Sequence, residues 1–359
     1  MRVVVDVSPL SHPRTGVGNY IRGSLAGMAE VAGPDDELVA FAPASPAGRR
    51  EIERSLDGLR VAHVLPALPG AHAVRVGWSR LGRPPVERFA GRLDVFHFSD
   101  WMYPAQRSGV RSTMVHDLVP LHFPEWVHPR TKRMHTAKAR RALLRCDLVF
   151  VNSRYTRDDV AETLRVPRER LRVAYPGVDH GFHPEGERTR LQRPYLLTVA
   201  TLEPRKNLGA LVAAHAQLGD LDASLAVAGG SGWGRGPEFA RPGILPLGYT
   251  APEGLPALYR GAEAFVYPSR FEGFGMPVVE AMACGVPCVV SSHPSLDEAC
   301  GDAAVRVDPE SPEAIADGVR RALAQSDELR RLGLAHAARF TWRDNGRVHL
   351  DAFREALRG

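Results

Sequence analysis

The sequence predicts an α/β protein with two domains, each built around a parallel β-sheet. Short apolar runs alternate with helical patterns along the chain, as expected for strand–helix–strand units. At 359 residues, the chain is long enough for two domains that each bury a core. One complete unit occupies residues 264–290, where a buried strand, a glycine-containing loop, a helix and a second strand follow one another.

Composition excludes several classes of protein. The sequence is 44% apolar and 24% charged, which is ordinary for a globular chain. No apolar run approaches the roughly 20 residues that cross a bilayer. Residues 1–7 are typical of a first strand rather than a signal peptide. Four cysteines without a Cys-x2-Cys pair predict neither a disulfide framework nor a zinc site. We therefore expect a cytoplasmic protein.

Positive charge is concentrated in the first half of the chain. The net charge is +5, and residues 1–190 carry 29 basic and 21 acidic residues, whereas residues 191–359 carry 17 and 20. The basic half favours an anionic partner. Nucleic acid is one interpretation and an arginine-rich genome composition is the other, but the function inferred below involves no nucleic acid.

Two segments of the first half combine basic and apolar residues. Residues 74–83 contain Gly77 and Gly82, which make them a poor isolated helix. Residues 129–146 form a strongly basic helical pattern. Each segment is compatible with a solvated surface or with contact to an anionic membrane surface.

The first strand, residues 3–7, leads into a loop that contains Gly16 and Gly18. Glycines allow positive φ and a close approach of the backbone to a ligand. The third glycine of a dinucleotide-binding fingerprint is absent, so the pair alone is weak evidence.

A later strand, residues 113–115, ends at His116. A side chain at this carboxyl end of a parallel strand would face a ligand cleft. His116 is either a structural histidine or a site residue, and Asp117 either contacts substrate or caps the next turn.

A linker rich in Pro, Gly and Arg, residues 184–193, precedes the second domain. The first strand of that domain, residues 195–200, leads into a loop with Arg205 and Lys206 just before a helix. Here the two side-chain cations and the helix N–H groups would converge on one anion.

Two carboxylates, Glu272 and Glu280, follow the strand at residues 264–267. Glu272 lies in the loop, and we expect the next helix to begin at Pro277 and end before Gly285, with Glu280 in its first turn. Helix N–H groups favour an anion, whereas ionised carboxylates accept hydrogen bonds from hydroxyls. A nucleotide sugar has hydroxyls at both ends and a diphosphate between them, so it meets both requirements. The alternative is that Glu280 only complements the helix dipole and that Glu272 is solvated.

Residues 271–287 read Phe-Glu-Gly-Phe-Gly-Met-Pro-Val-Val-Glu-Ala-Met-Ala-Cys-Gly-Val-Pro. This motif resembles the Glu-x7-Glu signature of the retaining glycosyltransferases of family 4. Residues 15–20, Thr-Gly-Val-Gly-Asn-Tyr, and residues 202–207, Leu-Glu-Pro-Arg-Lys-Asn, are also similar to one branch of that family. The resemblance therefore extends over almost the whole chain.

The resemblance implies the GT-B fold, in which two Rossmann-like parallel-sheet domains face each other across a cleft. We expect an acceptor-binding domain at residues 1–188 and a nucleotide-sugar-binding domain at residues 189–345. The last helix, residues 346–359, is expected to cross back to the first domain.

The resemblance also implies roles for individual residues. The expected catalytic residues are His116, Arg205, Lys206 and Glu272. The expected donor-binding residues are Gly16, Gly18, Gly229, Tyr249, Gly273, Phe274, Gly275, Met276 and Glu280. Asp117 is expected to contact the acceptor. Lys206 and Arg205 would neutralise the leaving diphosphate, while Glu272 would bind hydroxyls of the donor sugar and Glu280 those of the ribose.

We expect no metal and no other cofactor, because no Asp-x-Asp motif follows a donor-site strand. Retention of anomeric configuration is implied by the resemblance. No residue stands out as a covalent nucleophile, which suits front-face attack with the diphosphate as its own base.

GDP-mannose is the first expectation for the donor, and a UDP-sugar is the second. The acceptor is expected to be a glycan or a lipid-linked molecule in cell-surface polysaccharide or glycolipid synthesis. The enzyme would then work in the cytoplasm or at the inner face of the membrane. The alternatives are another GT-B activity, such as a nucleotide-sugar epimerase or a phosphorylase, and a non-catalytic subunit that binds sugar nucleotides.

Overall fold

The computed structural model describes residues 1–99, 103–141, 143–230, 232 and 239–359. These residues form two compact units. The first unit comprises Met1–Leu118, Arg130–Gly177 and Thr341–Gly359, and the second comprises Val119–Pro129 and Val178–Phe340. Each unit therefore draws on separate parts of the chain.

The first unit contains a parallel sheet with strands β1 (Arg2–Asp6), β2 (Glu37–Phe41), β3 (Ala62–Val64), β4 (Val95–Phe98), β5 (Val110–Val115), β6 (Leu148–Val151) and β7 (Leu171–Val173). Among the described residues, the strand order is β3-β2-β1-β4-β5-β6-β7. Strands β4 and β6 are buried along their whole length, and β1 and β5 at all but one residue each, which explains their apolar runs.

The second unit contains a second parallel sheet with strands β8 (Tyr195–Val199), β9 (Ser224–Ala228), β10 (Ile244–Gly248), β11 (Ala264–Tyr267), β12 (Cys288–Ser291) and β13 (Ala304–Val307). Its order in the described residues is β10-β9-β8-β11-β12-β13. The direction of strand succession reverses between β8 and β11. In open parallel sheets, ligands bind outside the carboxyl ends of the two strands at such a reversal.

The helices of the described residues, in chain order, are α1 (Gly16–Val31), α2 (Pro46–Ser55), α3 (Ala71–Leu81), α4 (Glu87–Ala90), α5 (Val119–His122), α6 (Pro129–Arg141), α7 (Arg154–Leu164), α8 (Leu208–His215), α9 (Leu255–Arg260), α10 (Met276–Ala283), α11 (Asp297–Cys300), α12 (Pro312–Ala324), α13 (Ser326–Ala337) and α14 (Trp342–Arg358), and the last three follow the final strand. None of the described helices is long and apolar enough to cross a membrane. The predicted α/β class with two parallel sheets is confirmed.

Residues Val119–Pro129 belong to the second unit although they lie between two segments of the first. The ring of Phe123 stacks on Trp126 with 4.1 Å between centroids, and it meets Phe271 edge-on at 5.5 Å. Phe271 directly precedes Glu272. This segment therefore packs against the loop that follows β11.

One local expectation is wrong, and one weak helix forms within the fold. Helix α10 begins at Met276 rather than at Pro277, so Glu280 lies in the second turn and not in the first. Residues 71–81 form a helix although a glycine lies at position 77, because the buried ring of Trp78 packs against Phe41 and Phe89. Tertiary packing here outweighs the low helix propensity of glycine.

Candidate active site

The second unit brings Arg205, Lys206 and Glu272 together. Arg205 and Lys206 lie on a 3-10 turn, Pro204–Lys206, after β8, and Glu272 lies in the loop after β11. Because β8 and β11 are neighbours, their loops meet at the carboxyl edge of the sheet. Arg205 Nη1 lies 2.6 Å from Glu272 Oε2, and Lys206 Nζ lies 2.6 Å from Glu272 Oε1. This trio is the charged cluster.

Tyr267 and Ser269 complete the hydrogen bonds of the charged cluster. Lys206 Nζ donates to Tyr267 Oη at 2.6 Å, and Tyr267 Oη donates to Glu272 Oε1 at 3.0 Å. Ser269 Oγ donates to the same Oε1 at 2.6 Å. Neither Tyr267 nor Ser269 was assigned a role from the sequence. The available signal was a buried tyrosine at a strand end, whose hydroxyl needs a polar partner.

The charged cluster is largely buried, and a second carboxylate, Glu203, balances its charge. Lys206 is 8% exposed and Glu272 is 6% exposed. Burial raises the pKa of Glu272, but the charges of Arg205 and Lys206 outweigh it and hold that pKa at about 2. Burial and the Arg205 charge lower the pKa of Lys206, and Glu272 opposes them. Glu203 also pairs with Arg205, at 2.8 Å. Two cations and two carboxylates thus cancel, so Arg205 and Lys206 do not form the bare cationic pair that the sequence suggested.

Glu280 lies on α10 in a separate buried position. Tyr259 Oη donates to Glu280 Oε2 at 3.1 Å. Burial raises the pKa of Glu280 to about 7, and nearby Asp179 adds to that increase, while the Tyr259 hydrogen bond opposes it. Glu280 lies outside the first turn of α10, and Glu272 is buried rather than solvated, so the alternative of a dipole-complementing Glu280 and a solvated Glu272 is wrong.

The glycine loop before α10 is tightly packed. Gly275 adopts φ +104°, and a Cβ there would lie 2.6 Å from Leu296 Cδ2, so only glycine fits. The Phe274 ring packs against Phe340 at 5.2 Å, away from solvent. Gly273 is buried in the same loop, and Met276 is the half-buried first residue of α10.

The Glu272 backbone is fixed as well as its side chain. Its N–H donates to Ser295 Oγ at 3.0 Å, and that hydroxyl lies 2.9 Å from His293 Nδ1. The loop after β12 therefore supports the loop after β11. Neither Ser295 nor His293 was assigned a role from the sequence.

Gly229 and Tyr249 follow β9 and β10. Gly229 has φ +150°, and a Cβ there would lie 1.9 Å from the Ala200 carbonyl oxygen. Gly229 N–H donates to the Gly248 carbonyl at 2.8 Å, which places Tyr249 beside the same loop. Tyr249 is 46% exposed, so a large part of its ring faces solvent beside the loop that contains Gly229.

In the first unit, His116 follows the end of β5. Its ring meets Tyr20 edge-on at 5.1 Å. Burial, together with Lys138 and His135, lowers the pKa of His116 to about 3, so the ring is neutral at pH 7. Its buried Nε2 has no hydrogen-bond partner among the described residues. A buried polar atom without a partner is costly, and a substrate hydroxyl would satisfy it.

Gly16 and Gly18 open helix α1 in the first unit. Both lie inside the helix rather than in the loop before it, and neither adopts positive φ, so backbone conformation does not require glycine at either position. A Cβ at Gly16 would meet no atom within 4 Å, and one at Gly18 would make ordinary contacts at 3.5 Å with Arg14 and Leu10. Asp117 is half-buried between β5 and α5.

No group of three or more metal-ligating side chains occurs within the described ranges.

Family models and a full-length relative decide the class of this chain. Residues 14–182 match the model described as Glycosyltransferase Family 4, and residues 181–338 match Glycosyl transferases group 1. The O-antigen chain mannosyltransferase B of Escherichia coli is 30% identical over 99% of this chain and 100% of that protein. The chain is a family 4 glycosyltransferase of group 1.

Other proteins are similar to the glycosyltransferase over different spans. The serotype-specific mannosyltransferase WbdA of Escherichia coli is 27% identical over 67% of this chain, which spans about a third (33%) of that larger protein. Sucrose-phosphate synthase from Thermosynechococcus elongatus superimposes with a TM-score of 0.75 at 18% identity, over 99% of this chain and 98% of that one. The Anabaena protein HepE, in complex with UDP-glucose, superimposes with a TM-score of 0.68 at 16% identity, over 98% of this chain and 99% of that one. The glycosyltransferase therefore has the GT-B fold.

Proposed function

We propose that this glycosyltransferase moves a mannosyl residue from GDP-mannose to a glycan or lipid-linked acceptor in cell-surface polysaccharide synthesis, with retention of configuration and without a metal. The observation that carries the proposal is the charged cluster at the strand reversal of the second sheet. Its cations, with the N-terminus of α10 beside them, match the diphosphate of a nucleotide sugar.

Lys206 is the residue that we assign to the leaving group. An ammonium has three N–H donors, and Lys206 uses one for Glu272 and one for Tyr267 among the described residues. The remaining donor can hydrogen-bond to a phosphate oxygen. Because Glu272 and Tyr267 fix the side chain beforehand, this donor costs little reorganisation when negative charge develops in the transition state.

In the reaction that we propose, one bond to the anomeric carbon breaks, another forms, and one proton is transferred. The bond between the anomeric carbon and the diphosphate oxygen breaks, and the acceptor oxygen attacks from the same face. The acceptor proton passes to the departing diphosphate, which carries the charge that Lys206 and Arg205 stabilise. Glu272 holds these cations, and Glu280 binds the ribose hydroxyls. In the first unit, His116 Nε2 contacts a substrate hydroxyl, Gly16 and Gly18 leave space at the start of α1, and Asp117 contacts the acceptor.

The choice of donor rests on relatives rather than on a base-reading side chain. Two of the relatives named above are mannosyltransferases by name, and one acts on an O-antigen chain. Gly229 and Tyr249 would flank the nucleobase through backbone and ring contacts, which discriminate weakly between guanine and uracil. The UDP-glucose complex of HepE makes a UDP-sugar the second candidate.

Thermal unfolding with GDP-mannose, UDP-glucose, UDP-N-acetylglucosamine and the free nucleotides tests the donor. We expect GDP-mannose and GDP to raise the midpoint, because a ligand that binds only the folded state stabilises it. Release of GDP that depends on an added acceptor glycan then tests transfer. Stabilisation by UDP-glucose alone would replace the donor, and donor turnover to an isomer without acceptor would favour an epimerase. Binding without turnover with any acceptor would favour a non-catalytic subunit.

A further inference from the structure

A cavity of about 390 Å³ lies beside the linker of the second unit. It is bounded by residues 188–190, by residues 260–263 before β11, by residues 284–287 before β12 and by the first turn of α13. We call it the linker cavity. Glu272 follows the opposite end of β11, a strand of four residues, so roughly 10 Å of sheet separates the linker cavity from the charged cluster.

The lining of the linker cavity carries an excess of positive charge. Its charged residues are Arg188, Arg190, Arg260, Arg330, Glu263 and Asp327. Four cations and two carboxylates leave a net charge of +2. The C-terminal end of α10 and the N-terminal end of α13 both reach the cavity, so their dipoles, about half a charge each, oppose one another. The arginines therefore set the sign of the potential.

None of these arginines is neutralised by an ion pair with any described residue. Within the described part of the chain, the guanidinium of Arg260 donates only to backbone carbonyls, those of Gly181, His183 and Glu187, at 2.7–3.2 Å. Arg330 Nε lies 3.2 Å from where a Cβ of Gly285 would be, over the C-terminal end of α10. Elsewhere in the described chain many arginines pair with a carboxylate, as Arg320 does with Asp220 at 2.7 Å.

We propose that the linker cavity binds a diphosphate group, distinct from the donor diphosphate. Guanidinium groups hold phosphate oxygens through paired N–H donors, and here they stand on two walls. Arg188 and Arg190 come from the linker, and Arg330 comes from α13. The volume lies within the roughly 300–1,000 Å³ of small-molecule sites and exceeds what one phosphate needs. Bound diphosphate would join the linker to α13.

The part of the linker that forms this wall is already ordered. Thr189 N–H donates to the Ala257 carbonyl at 2.9 Å, and the Thr189 carbonyl lies 3.3 Å from Tyr195 Oη, which donates to the Leu258 carbonyl at 2.7 Å. A site whose backbone is fixed in advance loses less entropy when a ligand binds.

Calorimetric titration of the full chain with inorganic pyrophosphate tests this site. In the wild-type protein we expect pyrophosphate to bind at two sites, the donor site and the linker cavity. Lys206→Met should remove binding at the donor site and leave binding in the linker cavity. Adding Arg330→Glu to that variant should weaken the remaining binding about tenfold or more, because the charge on one wall is reversed. Arg331→Glu is the matched control, since Arg331 is the exposed neighbour on α13 outside the cavity lining. Glu263→Gln should tighten binding, because it removes a carboxylate from the cavity.

A vesicle arm identifies the source of the diphosphate. Phosphatidylcholine vesicles that carry farnesyl diphosphate should sediment the Lys206→Met protein, and Arg330→Glu should abolish this if the ligand is a lipid headgroup. Binding of pyrophosphate without vesicle binding assigns a free diphosphate instead. Two results would overturn the proposal. One is that, in Lys206→Met protein, Arg330→Glu and Arg331→Glu leave the same affinity for pyrophosphate. The other is that Lys206→Met protein binds no pyrophosphate at all. Neither result bears on the donor site, because that site is tested by comparing pyrophosphate binding by the wild-type protein with binding by Lys206→Met.

Discussion

Glu272 accepts hydrogen bonds from four side chains, and this accounts for most of its capacity. Oε1 accepts from Lys206, Tyr267 and Ser269, and Oε2 accepts from Arg205. A carboxylate has about four acceptor positions. In this state its main role is to fix two cations, so contact with sugar hydroxyls would require some of these bonds to be shared.

Glu272→Ala should lower the free energy of unfolding of the second unit by about 3–5 kcal/mol, because it leaves a buried lysine without its carboxylate. Urea denaturation measures the change. Glu203→Ala is the control: Glu203 pairs with the same Arg205 but is 28% exposed, so its loss should cost at most about 1 kcal/mol. Equal losses in the two variants would contradict the organising role of Glu272.

Glu280 should make donor binding depend on pH. The carboxyl has a pKa of about 7, and the ionised form accepts hydrogen bonds from two ribose hydroxyls more strongly than the protonated form, in which one oxygen carries a proton. Donor affinity should therefore level off above about pH 8 and fall through pH 7, by up to about tenfold per pH unit below about pH 6, until another group titrates. Calorimetric titration of the protein with the donor between about pH 5.5 and 8.5, in steps of about one pH unit, measures this dependence of affinity on pH.

Tyr259→Phe is the sharper variant of that experiment. It removes the hydroxyl that stabilises the ionised Glu280, so the bend in the affinity profile should move to higher pH. Glu280→Gln should remove the bend. A bend that stays in place in both variants would assign the titration to another group.

At the level of elements, the sequence predicts the strands and the site loops better than it predicts the helix ends. Buried parallel strands have continuous apolar runs, so β8 and β11 and the residues that follow them were identified directly. The start of α10 was misplaced because Gly275 caps the helix in a left-handed conformation, which the proline at position 277 does not reveal. The contacts of Glu272 with Ser295 and Lys206 were not predicted for a similar reason. These residues are distant from Glu272 in sequence, and the order of strands in the sheet brings them together.

Helices α1 and α14 cross so closely that their backbones touch. A Cβ at Gly27 would lie 1.8 Å from the Trp342 carbonyl oxygen, and one at Gly346 would lie 2.1 Å from the Gly27 carbonyl carbon. Trp342 also meets Tyr20 edge-on at 5.8 Å. This crossing attaches the C-terminal helix to the first unit, and its glycines were not identified from the sequence because their partners are more than 300 residues away.

Gly27→Ala should destabilise the first unit by roughly 1–3 kcal/mol, because the methyl group forces the two helices apart. Gly77→Ala is the matched control with the opposite sign. Gly77 lies inside α3 in the same unit with no atom within 4 Å of its would-be Cβ, so alanine should stabilise by about 0.5–1 kcal/mol through helix propensity. Thermal unfolding of both variants decides the point, and destabilisation of similar size in both would show that the crossing is loose.

At the scale of the whole molecule, each unit carries its own buried titratable groups. The first unit buries His97 and His349, whose rings meet edge-on at 5.4 Å. Burial lowers the pKa of His349 to about 4, and the hydrogen bond from its Nδ1 to the Asn345 carbonyl opposes that decrease. Burial also lowers the pKa of His97, with smaller contributions from His349, Lys138 and His116. Both rings are thus neutral in the folded protein at pH 7.

These histidines should make the first unit sensitive to mild acid. A histidine in the unfolded chain has a pKa near 6.5, so between pH 6.5 and pH 4 the unfolded state binds more protons and stability falls as pH falls. For His349 alone, the loss from pH 7 to pH 5 is about 2 kcal/mol. Calorimetric unfolding at both pH values measures the loss, and Gly27→Ala identifies which transition belongs to the first unit.

His349→Gln should reduce this acid sensitivity, because glutamine does not titrate, while the exposed His63→Gln should leave it unchanged. The variant is expected to be less stable than wild type at pH 7, since the stacking of His349 on Phe150 at 4.1 Å is lost, and to recover relative to wild type at pH 5. The decisive quantity is therefore the difference between the two pH values rather than the midpoint at either. An identical shift in wild type and His349→Gln would mean that the protons enter elsewhere in the first unit.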